Sequence, residues 1–237
     1  MRLIGFSTGA LMLNDFRSAL RILDRQHIRA VELSALRQNE LVPLIEELDR
    51  LDLTQFRYIA FHAPSTMDPE FEPVAIAALE QVAQRQWPII LHPDAMHTPA
   101  SWRRFGDLLC IENMDKRKPV GQTISDLTEI FKLLPNASLC FDIGHARQVD
   151  PTMSEATAIL QSCKRRLRQV HISEVNSQSK HDALSFESVL AFRKVAHLIP
   201  ETVPVIAESR VAEDEVEDEI RSIRKALTWE RLAAAGD

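Results

Sequence analysis

Short apolar runs alternate along this chain with longer stretches of helical periodicity. LIGFS (Leu3–Ser7), AVELS (Ala30–Ser34), YIAFHA, PIILH, LLCIEN, LCFDIGH, RQVHIS and VPVIAES have the length and side chains of buried strands. The stretches between them predict helices over Asn14–Gln26, Leu41–Leu51, Pro73–Gln86, Pro99–Phe105, Ile124–Leu134, Ser154–Arg166, Phe186–Leu198 and Glu213–Ala234. In the first helix Phe16, Leu20 and Leu23 share a face, with Asn14 as the expected N-cap. In the last, acidic first turns give way to Arg221, Arg224, Lys225 and Arg231, an order that suits the helix dipole. Eight strands alternating with eight helices, with no compositional break or linker, predict an α/β fold. That fold is a closed (β/α)8 TIM barrel, a single domain over 1–237. Runs apolar on both faces suit parallel strands under helices. An open doubly wound sheet is the alternative, but the chain has six glycines and no G-x-G-x-x-G after the first strand.

The apolar runs share a second feature. YIAFHA ends near His62, PIILH at His92, LLCIEN near Glu112, LCFDIGH with Asp142 and His145, RQVHIS near His171, and VPVIAES near Glu208. An Asp or His after one strand is ordinarily a turn, a cap or a rim ion pair. Six such endings are another matter, because in a barrel the C-terminal strand ends converge on one mouth. Carboxylates and imidazoles gathered there are costly to bury unpaired, and a divalent cation would hold them together.

Composition narrows the partners. The formal net charge is -6 and the isoelectric point lies near 5.8, which gives no general pull toward nucleic acid or an anionic membrane. At 45% hydrophobic the chain can bury a sizeable core, and no run of about 18 apolar residues suggests a membrane span. MRLIGFSTGALML lacks a clean small-residue cleavage site and reads as a first strand rather than a signal peptide. Cys110, Cys140 and Cys163 are unclustered, so they read as small buried hydrophobes in a reducing, cytoplasmic setting.

Taken in order, FHAP, LHPD, IEN, FDIGH, VHIS, SKHD and AES resemble the xylose isomerase-like barrel superfamily. It includes sugar isomerases and epimerases and the endonuclease IV type of AP endonuclease (family 2). The resemblance implies a shared metal centre of Glu112, Asp142, His171 and Glu208. This oxygen-rich set with one imidazole suits Mn, Mg, Zn, Co or Fe. In the isomerases and epimerases of the family the two glutamates also move protons beside a carbonyl that the metal polarises. Glu112 and Glu208 are the counterparts here. Endonuclease IV adds His62 and His92 around a bridging Glu112, and a further site on His145, His181 and an Asp. Ser179 stands at that Asp position, with Asp182 as the nearest substitute, so one or two ions are expected rather than three.

Lys116, Arg117, Arg147, Lys180 and Arg210 follow strands five to eight and are candidate contacts for an anionic substrate group. The ordinary alternative for each is a solvated charge or a partner for a nearby acid. His27, His97 and His197 fall outside the strand-end pattern and read as surface or packing residues. Glu174 is expected to support the site or touch substrate.

The reading that follows is a metal-dependent isomerase or epimerase of a small sugar or sugar-phosphate-like carbonyl compound. The alternatives are a metal-dependent phosphodiesterase on abasic DNA, a multi-iron oxidase, and a non-catalytic metal-binding barrel. Small-molecule substrate is favoured over nucleic acid, no membrane partner is expected, and association into a homo-oligomer through the outer helices stays open.

Overall fold

The computed structural model describes residues 2–228. Eight parallel strands close into a barrel. They are β1 (Ile4–Ser7), β2 (Ala30–Ser34), β3 (Tyr58–His62), β4 (Ile89–Leu91), β5 (Leu109–Glu112), β6 (Ser138–Asp142), β7 (Leu167–Ile172) and β10 (Val205–Ala207). Each lies beside its neighbour in sequence, and β10 closes the ring against β1. The TIM-barrel expectation is met.

The two-residue period of a strand divides each stave between two cores. Val31, Leu33, Phe61, Ile89, Leu91, Ile111, Leu139, Phe141, Val170 and Ile172 point outward into the large cluster under the helices. Ala60, Ile90, Cys110 and Cys140 form a separate small cluster, with Tyr58 packed against it. These inward residues alternate with the outward set, so His62, Glu112, Asp142 and His171 fall on the inner face two positions further along. The barrel lumen is therefore apolar in its middle and ionisable at its C-terminal end. The staves are less uniformly apolar inside than their composition suggested.

The helices are α1 (Thr8–Leu11), α2 (Phe16–Arg25), α3 (Gln38–Glu47), α4 (Glu72–Gln84), α5 (Pro99–Trp102), α6 (Ile124–Leu133), α7 (Ile143–Val149), α8 (Ser154–Ser162), α9 (Phe186–Arg193) and α10 (Val216–Leu227). Some differ from expectation for local reasons. Asp15, not Asn14, caps α2: its carboxylate accepts the Ser18 N–H at 2.9 Å. Asn14 is in the left-handed region at φ 64°. Helix α3 begins earlier than Leu41, where Glu40 accepts the Arg37 N–H. The stretch after α5 tightens into 3-10 turns through Leu108. The last helix is preceded by a 3-10 turn over Glu213–Glu215 and is described to Leu227; Arg231 lies outside the described residues.

Two elements near the mouth were not expected. Helix α7 starts directly on Asp142, whose Oδ1 accepts the His145 N–H at 2.7 Å. The loop after β7 folds into an antiparallel hairpin of β8 (Glu174–Val175) and β9 (His181–Asp182). Gly144 lets α7 lie against the end of β7: a Cβ there would sit 2.5 Å from the Ser173 carbonyl oxygen. Cys110, Cys140 and Cys163 are buried free thiols, as expected. Among the described residues no helix is long and apolar enough to cross a membrane.

Candidate metal centre at the barrel mouth

Glu112 is the hub. It is wholly buried at the end of β5, and neither of its oxygens has a hydrogen-bond partner among the described residues. Oε2 faces His62 Nε2 at 3.3 Å and His92 Nε2 at 3.4 Å. Oε1 faces His145 Nδ1 and His171 Nδ1, each at 3.4 Å. His171 Nδ1 lies 3.5 Å from Glu208 Oε1, and His181 Nδ1 lies 3.4 Å from Glu208 Oε2.

These separations are long for hydrogen bonds, which cluster near 2.7–3.2 Å. Those at His62, His92 and His171 match the distance between two ligands of one ion: at metal–ligand lengths of about 2.0–2.1 Å, tetrahedral edges measure roughly 3.3–3.4 Å. Donor atoms of Glu112, Asp142, His171 and Glu208 lie within 4.8 Å of one another, as do those of His62, His92 and Glu112, and those of Asp142, His145 and His181. Asp142 Oδ2, His171 Nδ1 and both Glu112 oxygens are buried without partners. Orphaned acceptors in a dry site are expensive. The donor set fits one or more divalent cations.

Two of the imidazoles, His62 and His171, are held by their other nitrogens, whereas His145 Nδ1 is itself taken by the Asn113 carbonyl at 3.0 Å, His181 Nδ1 meets the Ser173 hydroxyl at 2.8 Å, and His92 Nδ1 has no partner among the described residues. His62 Nδ1 sits 2.6 Å from the Ala63 carbonyl and donates to it, leaving Nε2 for the centre. His171 Nε2 contacts Glu32 Oε2 at 2.8 Å, leaving Nδ1. Asn113 clasps the adjacent stave: its amide donates to the Asp142 carbonyl and accepts the Asp142 N–H, both at 2.8 Å. That clamp fixes the height of Asp142 beside Glu112, and it accounts for the asparagine of IEN.

Electrostatics reflect the crowding. Burial pushes Glu208 well above the usual carboxylate range against the pull of His171, with repulsion from Glu112 and Asp142 adding to the rise. Burial likewise raises Asp142, with Glu112 adding to it. Burial would raise Glu112 too, but His171 and His92 hold it well below the ordinary value. For His171, burial is overcome by Cys140 and by the carboxylates of Glu208, Glu32 and Glu112, which raise it well above the usual imidazole value. Burial and the neighbouring His145 bring His181 down to about 3, so its ring is neutral well below the usual imidazole range.

A mouth of about 450 Å³ opens over this cluster, lined by His62, His92, Glu112, His145, His181 and Glu208 among others. Its cations are Arg117, Lys118 and Arg210. Of the residues expected to hold an anion, Arg210 and Arg117 line the mouth, Arg117 also pairing with Asp115. Arg147 does not, because its guanidinium is 2.9 Å from Glu174, whose other oxygen accepts the Ser185 N–H. Glu174 therefore supports loop structure. Lys116 and Lys180 are exposed and do not line the mouth.

The hairpin carries the rest. Ser179, at φ 53°, donates from Oγ to Asp115 Oδ1 at 2.9 Å. Asp182 faces Asn176 and lies outside the clusters, so it does not replace the missing acid. His97 packs through its ring against the Met67 carbonyl. Sequence reasoning passed over three residues: Glu32, Asp115 and Lys118. Glu32 was findable, because AVELS places it on the inward phase between outward Val31 and Leu33. Asp115 and Lys118 sit in an irregular loop where no periodicity reports direction.

Comparisons with known proteins agree with this fold. The model of the xylose isomerase-like TIM barrel family matches residues 100–226, just over half of the chain. A search of curated proteins found no match. Among solved structures, a xylose isomerase domain-containing protein from Salmonella typhimurium superposes with TM-score 0.64 at 14% identity, covering 96% of this chain and 98% of its own. A xylose isomerase domain protein from Alicyclobacillus acidocaldarius gives 0.61 at 14%, covering 93% and 99%. A candidate sugar phosphate isomerase/epimerase from Anabaena variabilis gives 0.57 at 16%, covering 100% and 92%. At these identities the superpositions speak for the fold. The family-model match carries the assignment: the chain belongs to the xylose isomerase-like TIM barrel family.

Proposed function

We propose that this chain is a divalent-metal-dependent isomerase or epimerase of a small sugar or sugar-phosphate-like carbonyl compound. The observation that carries it is the pair Glu112 and Glu208, which approach His171 Nδ1 at 3.4 and 3.5 Å from two different strands. With Asp142 they make a cage whose two glutamates also border the open mouth.

Glu112, Asp142, His171 and Glu208 would hold a divalent cation, which would supply Lewis-acid polarisation of a substrate carbonyl. Glu208, held toward its protonated form by burial and like charge, is suited to exchange a proton with the carbon beside that carbonyl. Glu112, held ionised, is the complementary group. Arg210 and Arg117 at the mouth offer guanidinium forks to a phosphate or carboxylate on the substrate. The mouth volume suits a small molecule.

A second reading, a metal-dependent phosphodiesterase, is favoured by the histidine groups His62–His92–Glu112 and Asp142–His145–His181, which could gather more than one ion. The net charge of -6 and Ser179 at the acid position weigh against it. The test is metal analysis of the purified protein, followed by incubation with a panel of ketoses and ketose phosphates and, separately, an abasic-site duplex. Epimerised or isomerised sugar is expected. Chelator-sensitive strand scission without sugar turnover would reverse the order of the two readings. In the same preparation Glu208→Gln is expected to lose most of the bound metal.

A further inference from the structure

Beneath the cage, inside the barrel, lies a carboxylate that none of the chemistry above employs. Glu32 is wholly buried on β2. Its Oε2 is 2.8 Å from His171 Nε2 and 2.6 Å from Gln169 Nε2. Gln169 Oε1 accepts from the Tyr58 hydroxyl at 2.7 Å. This order fixes the amide, because the reverse orientation would set its oxygen against the Glu32 carboxylate. The two nitrogens, 2.8 Å apart, both point at one oxygen. Gln169 and His171 are two residues apart on β7, and Glu32 reaches them across the lumen from β2. A buried carboxylate is costly unless compensated, and this one is compensated on the oxygen that touches the histidine.

An imidazole offers a metal one nitrogen, and the hydrogen bond on the other decides which. We infer that Glu32 is the positioning residue for His171. By accepting its Nε2–H, Glu32 commits Nδ1 to the cage, while Gln169 and Tyr58 hold the carboxylate in place from below. Glu32 also lies within donor-atom reach of His62 and Glu208. Its Oε2 is taken by two donors while its Oε1 has no partner among the described residues, and the role inferred for it is the one Oε2 carries, through His171. This inference rests on the metal-dependent reading only in that His171 is a ligand there.

The test uses ¹⁵N-histidine NMR and Co²⁺ titration of the full-length wild type, Glu32→Gln and Tyr58→Phe. In wild type the His171 Nε2 proton is expected to be present and slowly exchanging, with or without metal. In Glu32→Gln a neutral amide oxygen accepts that proton in place of the carboxylate, so it should exchange faster. Co²⁺ affinity should fall about 10- to 100-fold, with a changed visible spectrum and an unfolding midpoint near that of wild type. Tyr58→Phe, which leaves the cage untouched, should weaken Co²⁺ only a few-fold. A wild-type His171 protonated on Nδ1 and bare on Nε2 overturns the inference, and this measurement needs no variant to fold. So does a folded Glu32→Gln with unchanged Co²⁺ affinity and an unchanged ring proton. If wild type binds no Co²⁺, the metal-dependent reading fails, and the ring proton alone still decides the role of Glu32.

Discussion

The mouth has two unlike halves. On one side His62, Glu112, Asp142 and His171 stand on staves β3, β5, β6 and β7, and each is at most 1% exposed. On the other, His181 rides a hairpin of two-residue strands, with Ser179 and Asp115 bracing it from irregular backbone. A stave fixes its side chain through ladder bonds on both flanks and a packed outer face. A short hairpin fixes its own through a few loop contacts. The stave half is thus preorganised for an ion, and the hairpin half is where members of one fold can vary their chemistry. Ser179 in place of an acid falls on the variable side.

The sharpest way to break this contrast is at the hub. Glu112→Gln removes a charge that four histidines face, and it is expected to empty the cage and to lower turnover by about 10²–10⁴-fold. Metal content by mass spectrometry checks it, and full retention would dismiss Glu112 as the hub. Next in size is pH. Asp142 and Glu208 are raised, so the metal-free cage holds protons that an ion must displace. Metal affinity should therefore fall as pH is lowered toward and below the raised values of these two acids, by up to about tenfold per unit for each proton released. Calorimetry in buffers of differing ionisation enthalpy counts those protons; zero release contradicts the assigned directions.

His181→Ala tests the hairpin half alone. It should cost at most one equivalent of metal and leave the stave cluster's affinity within about tenfold of wild type. A loss as deep as that of Glu112→Gln would erase the distinction between the halves. The smallest effect belongs to Arg210→Ala. For a phosphorylated or carboxylated substrate KM should rise roughly tenfold with kcat unchanged, and for a neutral sugar neither should move. A uniform effect on both substrates would remove Arg210 from anion binding.

The strand-end residues were legible because barrel geometry converts one sequence feature, a polar residue closing an apolar run, into one place in space. Glu112, Asp142, His171 and Glu208 all reached the same mouth on that rule. The cations were not legible. Arg147, Lys116 and Lys180 follow strands as Arg210 does, yet Arg147 turned to Glu174 and the two lysines are exposed and do not line the mouth. Loop direction depends on backbone turns that periodicity does not encode. Helix α7 was likewise hidden, because its N-cap is the very aspartate whose chemistry drew attention as a strand end.

By itself the sequence determined the alternation of strands and helices, hence the barrel, and the roster of acids and imidazoles at its C-terminal rim. Tertiary structure alone decided which nitrogen of each histidine faces inward, which cations line the opening, and that Glu32 lies under His171. Those outcomes depend on contacts between residues as distant as 32 and 171, and only closure of the barrel brings such partners within a hydrogen bond.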